Sequence, residues 1–345
     1  MNFFLLNRPA VWAGLLGAWA LLPHSGLGAP KPAAPAAPRS RTFVLTATAT
    51  VPVPPAGTNT LDLWLPLPHA DANQDVRELK IESPVPYKIE RGAYGNEMLH
   101  LRPAAVPTAP LTVKLTARIT RREHLNLQAN GPAMAAPAPQ EKPDPDLARW
   151  LGPDKLVPLD PAIKQQAAEV VAKAQAATDL EKARAIYEHV VRTVTYDKTG
   201  QGWGRGDIYY ACDARRGNCT DFHAIVIGYC RSLGIPARFS IGLPLPAERG
   251  KGEIKGYHCW AEFYTPQTGW VPVDASEAAK NPDKRAYFFG AHDENRVEFT
   301  RGRDVTLAPK QAGPPLNYFV YPYAEADGQP LDVARTYGFA DVTAP

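Results

Sequence analysis

Phe43, Leu45, Ala47, Ala49 and Val51 fall at every second position, with Thr46, Thr48 and Thr50 between them. A period of two is the signature of a strand with one buried face. Leu61–Leu65, Val76–Glu82, Met98–Arg102 and Leu111–Ile119 read as further strands, and Pro54-Pro55-Ala56-Gly57 and Tyr94-Gly95-Asn96 supply turns. Strands this short close naturally into a small β-sandwich, assigned to residues 41–128. The pattern changes at 129–158, which opens on the Pro/Ala-rich run ANGPAMAAPAPQEKPDP and reads as a linker or long surface loop. Beyond it, Ile163, Ala167, Val170, Val171 and Ala174 form one helical stripe. Leu180, Ala183, Tyr187 and Val190 form a second, opened by a capping box of Thr178 and Glu181.

A third helix follows the Gly-rich run GQGWGRG at 200–206, which reads as a flexible loop. Phe222, Ile225, Val226, Tyr229 and Leu233 share one face, and Gly234 and Pro236 end the helix. Cys219 therefore sits in its first turn. Unpaired N–H groups there favour negative charge, which lowers a thiol pKa, and the same groups can donate to an oxyanion. A thiolate nucleophile needs a base. The run YHCWAEFY at 257–264 reads as a strand, with His258, Trp260 and Glu262 on one face and Cys259, Ala261 and Phe263 on the other. The run GWVPVD at 269–274 reads as the next strand, and antiparallel pairing would bring Asp274 beside His258, to fix the imidazole tautomer and stabilise the imidazolium.

The surrounding residues carry alternatives. His223, one helical turn past Cys219, either tunes the thiolate or packs the helix. Asp221 reads as a helix-start carboxylate. Trp260 either walls the cleft or fills the core. Cys259 should point away from the chemistry as a buried thiol, and Cys230 should also be core. Cys212, seven residues before Cys219, could return to the site, where a Cys212–Cys219 disulfide would be a redox off-switch.

The order helix Cys, strand His, strand Asp, with Gly-Ile-Pro-Ala-Arg at 234–238 and His followed by Trp-x-Glu, resembles the transglutaminase-like superfamily over residues 160 to 278. Trp64-Leu65-Pro66-Leu67-Pro68 and Gly302-Arg303-Asp304 resemble exported bacterial proteins that contain this domain. The resemblance implies an α+β fold of the cysteine-protease type over residues 159–323, after the β-sandwich and before a C-terminal tail at 324–345. It implies Cys219, His258 and Asp274 as catalytic residues, working through a thioester on amide, peptide or isopeptide bonds, with hydrolysis favoured over transfer to amines. It also implies an oxyanion donor upstream of the Cys. Trp203, sixteen residues before Cys219, competes for that place with Tyr209 and Tyr210. The alternative from another class is an inactive scaffold or binding module of the cell envelope.

Composition narrows the partners. Lys+Arg is 38 and Asp+Glu 35, a formal +3, too even to make nucleic acid or an anionic membrane the main partner. The expected substrate is a protein or peptide, cell-wall peptide included. None of the four cysteine spacings is CxxC and no calcium loop is evident, so no metal and no cofactor are expected. Arg8 followed by the apolar run PAVWAGLLGAWALL at 9–22 reads as a signal peptide over 1–28, with Gly26 and Gly28 at the cleavage site. Residues 29–40 then form a stiff Pro/Ala-rich tether. The expected location is periplasmic or secreted, with no stable membrane anchor after cleavage.

Overall fold

The computed structural model describes residues 37–127 and 147–342. The leader at 1–28, most of the tether at 29–40 and the Pro/Ala-rich run at 129–145 lie outside them.

Strand Ser40–Val51 keeps the expected alternation, burying Phe43, Leu45, Ala47, Ala49 and Val51. It is the middle of a five-stranded sheet ordered Lys251–Glu253, Ala334–Asp341, Ser40–Val51, Leu111–Arg122, Gln74–Glu82. The register sets Leu45 opposite Ala117 on one side and Phe339 on the other. A second five-stranded sheet runs Gln329–Leu331, Tyr323–Ala326, Leu61–Pro66, Glu97–Leu101, Tyr87–Arg91. Both sheets feed one apolar core with the helices, through residues such as Phe43, Leu63, Ile186, Phe222 and Phe263. Strand Tyr87–Arg91 escapes the sequence pattern because it is a largely exposed edge strand with no inward row to set a period.

Of the segment expected as a tail, 324–345, the described part, residues 324–342, is instead structural. Strands Tyr323–Ala326, Gln329–Leu331 and Ala334–Asp341 complete both sheets that begin near the N-terminus. Tyr337 and Phe339 are buried there. The expected linker at 129–158 likewise ends in structure: a 3-10 turn at Leu147–Leu151 buries Trp150.

Among the described residues are helices α1 (Pro161–Lys173), α2 (Asp179–Thr193), α3 (Ile208–Ala214), α4 (Cys219–Ser232) and α5 (Ala275–Lys280). The Thr178–Glu181 capping box forms in both directions. Helix α4 is buried from Cys219 to Arg231, hence the weak amphipathic signal in its sequence. It packs on the middle of a four-stranded sheet ordered Gly269–Val273, His258–Thr265, Ala237–Pro244, Arg296–Arg301. The fold is α+β.

Strands Ala237–Pro244 and Arg296–Arg301 approach closely at Gly242, where an added Cβ would stand 1.8 Å from the Val297 carbonyl oxygen. Gly242→Ala is therefore expected to destabilise the chain by about 3 kcal/mol, read as a fall in the urea midpoint.

Candidate active site

The first turn of α4 is built by its own caps. The Asn218 side-chain oxygen accepts from Thr220 N at 2.9 Å, and the Asp221 carboxylate accepts from Asn218 N at 2.9 Å. The same carboxylate accepts from Gly204 N at 2.7 Å and Gly206 N at 3.0 Å. From the other side, Arg303 donates to Gly206 O at 2.8 Å and Arg205 O at 2.9 Å. The Gly-rich loop, expected to be flexible, is thus clamped through both its N–H and its C=O groups against the start of α4. The N–H of Cys219, at the first helical position, has no acceptor within the helix and remains available as a donor beside the sulfur.

His258 opens its strand, and Asp274 lies one residue past strand Gly269–Val273, at the N-cap of α5. The two meet as expected, with His258 Nε2 2.7 Å from an Asp274 carboxylate oxygen. That oxygen also accepts from Arg296 Nη1 at 3.1 Å, while the other accepts from Glu277 N at 3.0 Å and Ser276 Oγ at 3.0 Å. Asp274 is completely buried, with four donors around it. Because Nε2 is committed to Asp274, Nδ1 is the ring nitrogen left for Cys219, whose sulfur interacts electrostatically with the ring.

Burial opposes ionisation at each of these groups, and their mutual contacts override it. The Asp274 carboxyl is held well below its ordinary range by the charges of His258 and Arg296. His258, against the desolvation that would lower it, is raised to about 10, chiefly by Asp274 and then by Cys219. Cys219, against the desolvation that would raise it, falls well below the usual thiol range through hydrogen bonds from Cys259 and His258. These shifts favour a thiolate–imidazolium pair over the neutral pair.

Cys259 corrects the sequence reading. It does project from the face opposite His258, but α4 lies on that face, so Cys259 meets Cys219. Burial and the adjacent thiolate push Cys259 well above the ordinary thiol range, leaving it a neutral S–H donor. Cys259→Ala should move the pH midpoint of Cys219 alkylation up by about one pH unit, measured with iodoacetamide and peptide mapping. The Cys212–Cys219 disulfide is contradicted. Cys212 Sγ lies 3.5 Å from Tyr229 Oη, and Tyr229 is about 15 Å along α4 from Cys219. All four cysteines are free thiols.

The other expected site residues are scattered. Trp203 donates its indole N–H to Gly200 O at 3.2 Å, within its own loop. Tyr209 is exposed and its hydroxyl is bonded to Asp160 at the cap of α1. Tyr210 lays its ring against Gly202. Trp203 and Tyr209 have their donors engaged, whereas the buried Tyr210 hydroxyl has no partner among the described residues, so Tyr210 stays a candidate beside the Cys219 N–H. Trp260 is buried behind the base, its ring 6.0 Å from that of His258 and with the Arg296 guanidinium 4.9 Å from its centroid. His223 lies beneath the site, with Nδ1 2.8 Å from Cys219 O. Sequence reasoning missed Arg296, which no local pattern marks. It also missed Tyr257, the residue before His258, whose hydroxyl accepts from Asn218 Nδ2 at 2.8 Å. Tyr318 and Tyr321 pack on Tyr257, with ring centroids 5.5 and 6.0 Å away.

Among the described residues, His69, Asp71 and Glu298 are grouped closely enough to hold a metal ion. Arg301 already donates to both carboxylates at 2.6 Å, supplying the positive charge that a cation would bring.

The pattern of the transglutaminase-like superfamily matches residues 164–275, which take in Cys219, His258 and Asp274. An uncharacterized protein of Haemophilus influenzae is 28% identical over 307 residues, 79% of this chain and 82% of that one. The uncharacterized protein YebA of Bacillus subtilis is 29% identical over 79 residues, 20% of this chain and 11% of its own. A solved structure of a candidate cysteine protease from Cytophaga hutchinsonii aligns over 89% of this chain and 92% of its own, with a TM-score of 0.57 at 16% identity. Residues 164–275 of this chain thus form a transglutaminase-like domain, carried on a fold shared with that cysteine protease-like structure.

Proposed function

We propose that this chain is an exported thiol enzyme that acts on amide, peptide or isopeptide bonds of protein or peptide substrates, cell-wall peptides included. Cys219 is the nucleophile, His258 the general acid and base, and Asp274 the group that orients and stabilises the imidazolium. The observation that carries the reading is the 2.7 Å contact between the His258 ring and the fully buried Asp274 carboxylate, together with the electrostatic coupling of His258 to Cys219 at the start of α4.

The Cys219 thiolate attacks the carbonyl carbon, and the carbonyl electrons move onto oxygen, where the Cys219 N–H donates to them. The tetrahedral adduct collapses, the C–N bond breaks, and His258 Nδ1–H protonates the departing amine. The thioester is then resolved by water, whose proton returns to His258 as the C–S bond breaks. Cys219 is 1% exposed and His258 6%, so the carbonyl reacts in a nearly dry site where these interactions are strong. Water is favoured over an amine as the resolving group because it is abundant outside the cytoplasm. Export is supported by the apolar run at 9–22, and no helix among the described residues is long and apolar enough to cross a membrane.

The test is alkylation by iodoacetamide across pH, followed by acyl-enzyme trapping with a peptide library and intact-mass detection. The wild type should label well below the pH of an ordinary thiol, and His258→Ala should lose that low-pH labelling. A wild-type profile like that of a free cysteine, with no acyl adduct absent from Cys219→Ala, would favour a scaffold.

A further inference from the structure

His223 is completely buried, and both of its ring nitrogens are used. Nε2 lies 3.2 Å from the backbone N of Ala275, which can only donate. Nε2 must therefore present a lone pair. A neutral imidazole has one N–H, so the proton is on Nδ1, where it points to Cys219 O at 2.8 Å. Burial lowers the His223 pKa, which agrees with a neutral ring. The nearer Asp274 oxygen stands 3.7 Å from Nε2, and Cys259 Sγ stands 3.7 Å from Nδ1.

The connections matter because of where they end. Cys219 carries the thiol, and Ala275 directly follows Asp274. One rigid ring thus joins the backbone of the nucleophile to the backbone beside the orienting carboxylate. It crosses between the starts of α4 and α5, two helices that also pack directly on each other. An apolar side chain of similar size would fill the space but make neither bond. A flexible amide could make one or both without the ring's fixed spacing.

Building on the Cys219 reading above, we infer that His223 is a positioning residue: a neutral imidazole, protonated on Nδ1, that sets the separation of the Cys219 turn from the Asp274 turn. It holds sulfur, imidazole and carboxylate in register and touches no substrate. A proton added at Nε2 would face the Ala275 N–H and break the α5 connection, so the ring works only in its uncharged form.

Two measurements on the full chain test this. The first is nitrogen NMR of the histidine-labelled wild type, which reports each ring's tautomer. His223 is expected to hold the neutral Nδ1–H form at neutral pH. An Nε2–H tautomer, or a charged ring at neutral pH, would overturn the inference.

The second is the pH profile of Cys219 alkylation in His223→Phe, His223→Gln and His223→Asn. The Phe variant should need about one pH unit more to label, an approximately tenfold loss of thiolate at low pH. Gln, which can accept from Ala275, and Asn, which can donate to Cys219 O, should each recover part of it. A folded Phe variant with the wild-type profile would overturn the proposal. If the Phe variant does not fold, the Gln profile and the wild-type tautomer decide. His258→Ala separates the two readings. If it abolishes low-pH labelling while the His223 variants do not, the positioning role alone falls. If neither wild type nor His258→Ala labels at low pH, the enzyme reading falls and the tautomer still judges His223.

Discussion

Asp274→Asn is expected to cut turnover about 10⁴-fold, because the amide N–H₂ would face the His258 Nε2–H and favour the wrong imidazole tautomer. The reading is the rate of acyl-enzyme formation on whichever library peptide the wild type accepts. The chain should remain folded, since asparagine can still cap α5 through the bonds that Asp274 makes to Glu277 N and Ser276 Oγ. Asp274→Asn and Asp274→Ala both remove the buried carboxylate that faces Arg296 Nη1 at 3.1 Å, at a cost of about 3 to 5 kcal/mol, and Asp274→Ala loses the α5 cap as well, about a further 1 kcal/mol. Equal activity losses in the two variants, with unequal urea midpoints, would separate the chemical role from the structural one. An Asn variant that keeps wild-type turnover would remove Asp274 from the mechanism.

The second large effect lies behind the catalytic strand. Glu262 and Arg238 form a buried pair at 2.5 Å on paired strands, with the guanidinium 4.2 Å from the Trp270 ring centroid. Burial opposes the Glu262 charge, but Arg238 outweighs it and lowers the carboxyl from 4.5 to about 2. A group depressed on folding stabilises the folded chain above its unfolded pKa. That contribution, on the order of 3 kcal/mol, is fully present above about pH 4.5 and is lost as pH falls to about 2. Glu262→Gln should therefore cost about 3 to 5 kcal/mol at pH 7 and flatten the acid limb of a stability–pH curve between about 4.5 and 2. An unchanged acid limb would mean that another carboxylate governs it.

Residues whose roles depend on local pattern were legible in the sequence. Strand Ser40–Val51 shows its period because one face is buried, and α4 shows its start because Asn218 and Asp221, three positions apart, form a capping box. The meeting of His258 and Asp274 followed from two neighbouring strands. Arg296, by contrast, reaches Asp274 from a strand 22 positions later, and nothing in its own neighbourhood signals the contact. Cys259 was misjudged for a related reason. Strand alternation gave its direction correctly, but it does not say that the nucleophile helix packs on that face. The Gly-rich loop looked mobile because its composition permits it, and the groups that immobilise it, Asp221 and Arg303, sit far along the chain.

Thr42 O accepts from Val342 N at 2.9 Å, and Phe43 pairs with Asp341 across nearly the whole length of the chain. Until the final strand is made, strand Ser40–Val51 has an open, hydrogen-bond-hungry flank. Completion of that sheet must wait for strand Ala334–Asp341 to emerge, and so is a slow, long-range closure rather than one that proceeds as synthesis does. A chain cut short before residue 334 would carry its whole thiol centre yet expose a raw sheet edge, and should collect as aggregates rather than as a smaller working enzyme.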